Sequence, residues 1–85
     1  MMRNTKHNLI AQTYALQSFR VTGVMQYQIA GQWYERPVTE TVRCERITQA
    51  RDKALAQVEK AAREIDPLAV VRWHTPEWVR VEVTE

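Results

Sequence analysis

Few residues in this chain are of the types that perform covalent or acid–base chemistry, and their spacing decides what they can do. The imidazoles are His7 and His74; one falls in a polar N-terminal stretch, the other between two apolar runs. Neither has a cysteine, aspartate or second histidine at the short intervals with which metal ligands recur, so no metal site is expected. Cys44 is the single cysteine and has no histidine nearby to activate it. Glu35, Glu40 and Glu45 recur every five residues. That odd interval sends successive side chains to opposite faces of a strand, so no carboxylate dyad forms. Phosphate-cradling glycine loops and nucleophile-elbow motifs do not occur. The reading is of a protein without catalysis and without cofactors.

Recognition is better represented. Arg20, Arg43, Arg72 and Arg80 fall in strand-like segments near Tyr27, Trp33, Trp73 and Trp78. A sheet bearing arginine beside aromatic rings is able to hold phosphates and stack bases, although Glu40, Glu45 and Glu82 interleave with the cations. An RNA or single-stranded nucleic-acid-binding sheet is therefore one reading. Binding of a protein is the preferred one. Three tryptophans are a heavy load for a chain this small, and Trp and Arg are the side chains most often found as interface anchors. The partner-binding surface is expected at Trp73, Trp78, Arg72 and Arg80, with Trp33 and Tyr34 on an edge strand as a second route through strand addition. A homodimer formed through the same surface is the third reading.

These side chains need a scaffold, and its clearest piece is Thr48 to Glu64. Ile47, Ala50, Ala54, Leu55, Val58, Ala61, Ala62 and Ile65 form one helical stripe. Thr48 reads as the N-cap and Asp66-Pro67 as the stop. Before it, Phe19, Val21, Gly23, Met25, Tyr27 and Ile29 alternate with largely polar residues, predicting a strand with a bulge or bend at Gly23. Ala30-Gly31-Gln32 supplies a turn, with Gly31 free to take positive φ. Trp33 to Glu45 returns as an edge strand, because Pro37 has no N–H. After the helix, Leu68 to Trp73 and Trp78 to Val83 predict a second hairpin around His74-Thr75-Pro76-Glu77. The sum is an α+β fold of order β-β-α-β-β: a four-stranded antiparallel sheet with one helix packed on one face.

The register of that second hairpin decides which rings are free. With Trp73 opposite Trp78, the helix face holds Leu68, Val70, Val79, Val81 and Val83, with Arg72 at its outer end. The other face then presents Trp73, Trp78, Val71 and Arg80. This is the preferred register; a slip of one residue would bury Trp73 with Val71 and Val79.

Size and charge bound the rest. Eighty-five residues make one domain, expected at 18–85 behind a loosely attached arm at 1–17. Lys and Arg exceed Asp and Glu by 12 to 10, too little to dictate a nucleic-acid partner by itself. The lone cysteine and the lack of a membrane-length apolar run predict a cytoplasmic protein with no membrane partner. The strand–turn–strand followed by ERITQARDKALAQV resembles small accessory proteins of phages and mobile elements, anti-CRISPR proteins among them. The likeness covers Phe19 to Val83 in layout and Ile47-Thr48-Gln49-Ala50 with Ala54 in residue detail. It implies a stoichiometric inhibitor that occupies a protein partner's surface, such as that of a CRISPR effector complex, and carries over no functional residue. The slightly basic charge departs from the acidic DNA mimics of that group.

Overall fold

The structure, a computed structural model, describes residues 16–84. The arm expected at 1–17, with His7, lies outside the described residues except for Leu16 and Gln17. Two long strands, β1 (Gln17–Ile29) and β2 (Gln32–Cys44), lead into the helix α1 (Ile47–Ile65). The short strands β3 (Val70–Trp73) and β4 (Arg80–Val83) follow, separated by a 3-10 turn at Pro76–Trp78. The fold is α+β in the order β-β-α-β-β, with one open antiparallel sheet.

Alternation along β1 sends Phe19, Val21 and Met25 into the core beneath the helix, where Val42 and Cys44 of β2 join them. The β1–β2 register runs unbroken from Gln17↔Cys44 to Ile29↔Gln32. Gly23, expected to mark a bulge, therefore pairs normally with Val38. Its missing side chain serves a neighbour instead: a Cβ there would lie 2.9 Å from Trp73 Cζ3 and 3.2 Å from Val79 Cγ2. The hairpin closes through two left-handed residues, Ala30 (φ 52°) and Gly31 (φ 81°), the requirement of a two-residue turn that matches strand twist. Alanine is strained there by about 1–2 kcal/mol. Asp66, just past the helix, anchors the strained turn by accepting the Ala30 N–H at 2.8 Å, and it accepts the Leu68 N–H at 3.0 Å. Those bonds, the one from Ala30 first, hold its carboxyl below the ordinary value of 3.8.

The helix begins two residues earlier than an N-cap at Thr48 would place it. Arg46 is the N-cap, and the Gln49 side chain reaches back to accept its N–H at 3.1 Å. Ala50, Ala54 and Ala62 are buried, and Leu55 and Val58 pack beside them; the small residues let the helix lie close to the sheet. Asp66-Pro67 ends it as expected, and Glu59 pairs with Arg63 at 3.2 Å.

The second hairpin does not form. β3 and β4 pair with β1 instead of with each other, Met25↔Trp73 to Gln28↔Val70 and Phe19↔Val83 to Thr22↔Arg80. They are two halves of one strand lying along the far edge of β1. The physical reason is β1 itself: a hairpin of β3 with β4 would leave this long central strand with one side of its backbone unpaired beneath the helix. Val24 and Ser18 carbonyls accept the His74 and Thr84 N–H groups on that side. Alternate residues of β1 must then bond β2, which turns the nitrogen of Pro37 outward to the unpaired edge where it costs nothing.

This pairing also overturns the preferred register of β3. Trp73 sits beside the fully buried Met25, is 8% exposed, and shares the core with Val71 and Ala69. Leu68 and Val70, expected inside, are exposed, and Arg72 belongs to the uncovered face. In β4 the expected facing holds: Val81 and Val83 lie on the helix side with Phe19 and Val21, and Arg80 on the other.

Candidate binding surfaces

The six residues expected at a partner surface are distributed over several places. Trp73 is withdrawn from the surface: its ring covers Gly23 in the core, and its Nε1 finds no hydrogen-bond partner among the described residues. Tyr34 lies on the helix side of β2, where it stacks on Tyr27 with ring centroids 5.6 Å apart. Trp33, Arg72 and Arg80 share the face that the helix leaves bare.

Two of these come together. The Arg72 guanidinium carbon stands 4.7 Å from the Trp33 ring centroid, a cation–π contact. Arg72 Nε also donates to Gln26 Oε1 at 3.0 Å, and Gln26 Nε2 donates to Glu35 Oε1 at 3.3 Å. Glu35 completes the chain with His74 Nε2 at 3.4 Å. The network crosses three strands because Gln26 pairs with Glu35 on one side and Arg72 on the other. It fixes the Trp33 ring and the Arg72 fork in one orientation. Gln26 carried no signal in the sequence beyond its place on the polar side of β1.

Trp78 is placed differently. His74 bonds opposite Val24 and Arg80 pairs with Thr22, so Thr75 to Val79 stand where a regular strand needs one residue opposite Gly23. Val79 turns inward against Gly23. The remainder forms a 3-10 turn begun by Pro76 and tied to the helix by Arg51 Nη1 on the Pro76 carbonyl at 3.4 Å. Trp78 is left 78% exposed at its end, two residues before Arg80.

A third surface escaped the sequence reading. Between the second half of α1 and the outer strand β2 runs a groove of about 450 Å³. Tyr27, Ile29, Val38, Val58, Ala61 and Ile65 line it, with Arg36 and Glu40 at the rim. Ile65 is 74% exposed beside it, and Leu68, past the helix end, is 85% exposed. The signal was present in Pro67-Leu68: a residue directly after a helix stop sits in a turn before it enters a strand.

No three metal-ligating side chains converge among the described residues, and no described helix is long and apolar enough to cross a membrane. Glu35 and Glu40 lie on opposite faces of the sheet. Comparison of the chain with protein families, with curated proteins and with solved structures finds no match.

Proposed function

We propose that this is a non-catalytic protein-binding domain whose anchor is Trp78, with the Trp33–Arg72 pair on the bare face of the sheet as a second, separate contact. The observation that carries the reading is the interruption between β3 and β4. A strand that already pairs with β1 on both sides of Gly23 gains no ladder bonds from Thr75 to Val79, yet that excursion holds a tryptophan almost fully in water. An exposed aromatic on a short, tethered turn is the geometry of an anchor that fills a partner's pocket. Trp73, now in the core, has no part in it. The layout's resemblance to small phage and mobile-element inhibitors accords with a binder of this kind, acting in the cytoplasm by occupying a partner's surface.

The test compares the full chain with Trp78→Ala as baits in quantitative capture from the native host. The proposal expects a partner retained by the parent chain and lost by the variant, with a binding cost of about 2 kcal/mol or more and an unchanged melting temperature. A partner held equally by both proteins would remove Trp78 as the anchor.

A further inference from the structure

The bare face of the sheet carries a second feature, at the end away from the Trp33–Arg72 pair. Arg43 of β2 lies opposite Ser18, Arg20 of β1 lies between Thr41 and Glu82, and Arg80 of β4 lies opposite Thr22. These three arginines occupy successive rows and are diagonal neighbours, about 7–8 Å apart at the backbone. They form a band that steps across all three strand positions of the sheet. Hydroxyl side chains fill the spaces: Ser18, Thr22, Thr39 and Thr41 belong to the same rows. Glu82 is the one acid of these rows among the described residues, and its contact with Arg20 is long, 3.6 Å, with both side chains about half exposed. Arg43 and Arg80 have no ion-pair partner among the described residues.

We infer that this band binds the phosphate backbone of a single nucleic-acid strand. Three guanidiniums against one acid give the face a positive potential that the whole chain, at +2, hardly shows. Arginine forks and hydroxyl donors are the groups that contact phosphate oxygens. An acidic protein would meet the same charge, but these rows offer no exposed aromatic or aliphatic anchor of the kind that carries protein interfaces. No base-reading group lies in the band, so binding is independent of sequence. The inference concerns a different surface from Trp78 and stands or falls separately.

The experiment is fluorescence anisotropy of the full chain with a labelled oligothymidylate of about 20 nucleotides, titrated over a range of salt. Three backbone contacts on a single strand predict a slope of log K against log salt near −2, about −0.7 for each contact. Arg43→Gln and Arg80→Gln should each lower the slope by about 0.7, and the triple Gln variant with Arg20 should lose binding. Lysine at the three positions should retain the slope, and Trp78→Ala should leave it unchanged. Absence of binding at low salt overturns the inference, as does a slope indifferent to the single Gln substitutions. Displacement of the oligonucleotide by polyglutamate at equal charge would reassign the band to acidic proteins and overturn it equally.

Discussion

Gly23→Ala tests the placement on which the fold turns. In an isolated strand this change is favourable, because glycine gives up more backbone freedom on folding; alanine gains about 0.5–1 kcal/mol. Here the new methyl would meet the Trp73 ring at 2.9 and 3.2 Å and Val79 at 3.2 Å. The ring has little room to retreat, since Trp73 is packed under the helix beside Met25 and Val71. Forcing a methyl into a filled core costs about 1–3 kcal/mol. The net expectation is a loss of up to about 2.5 kcal/mol, read in urea as a lower midpoint with an unchanged slope. A double-mutant cycle isolates the cause. In a Trp73→Leu background the closest clash is removed and only the Val79 contact at 3.2 Å remains, so Gly23→Ala should cost less or become neutral, with a coupling of about 1 kcal/mol or more. If Gly23→Ala stabilises the parent protein, Trp73 does not lie over Gly23, and the assignment of Trp73 to the core fails with it.

Other consequences follow from the same geometry. Ala30→Gly removes a left-handed strain of about 1–2 kcal/mol at the cost of about 0.5–1 in chain entropy, so urea midpoints should rise; a fall would mean the turn is not left-handed at that residue. Because hydrogen bonds depress the folded carboxyl of Asp66, its contribution is complete above the unfolded value of 3.8 and is lost as pH falls through the lower folded value. The difference in melting temperature between the parent and Asp66→Ala should therefore be largest near neutral pH and shrink in acid below 3.8; a constant difference refutes the role. Deleting Thr75 to Trp78 leaves Val79 to stand opposite Gly23 and should give a continuous strand that folds with a melting temperature near the parent's. Loss of folding would show the excursion to be structural.

The parts of the fold written in strong periodicity were legible in the sequence. The alanine stripe gave the helix, the alternation from Phe19 to Ile29 gave β1, and Asp66-Pro67 gave the helix stop. The partner of β3 was not legible, because LAVVRW has apolar residues on both faces and Val70 and Val71 satisfy either register. What decides between them is tertiary: the bonds offered by the second side of β1, and the space over Gly23 that accepts an indole. That glycine was visible in the sequence, but its meaning depended on a residue fifty positions away. The same ambiguity scattered the expected contact residues, since moving β3 by one position exchanges Trp73 for Arg72 on the bare face.

The exchange has a consequence for how this small domain divides its labour. Arginine faces water from a half-buried strand at little cost, whereas a second indole on that face, in addition to Trp33, would enlarge its exposed apolar surface. By placing Trp73 inside, the fold spends one tryptophan on a core that alanine residues alone would leave thin, and it covers Gly23 in doing so. The bare face then carries its cations in order: Gln26 holds Arg72 over Trp33, and the other three arginines of that face, Arg20, Arg43 and Arg80, align across the sheet. The most exposed large aromatic is Trp78, 78% against 49% for Trp33, on a segment that the ladder does not require. A fold that seals one indole, pins a second beneath a guanidinium and exposes the third has separated its structural aromatics from its adhesive one. That separation argues for reading the excursion and the sheet face as two surfaces instead of one.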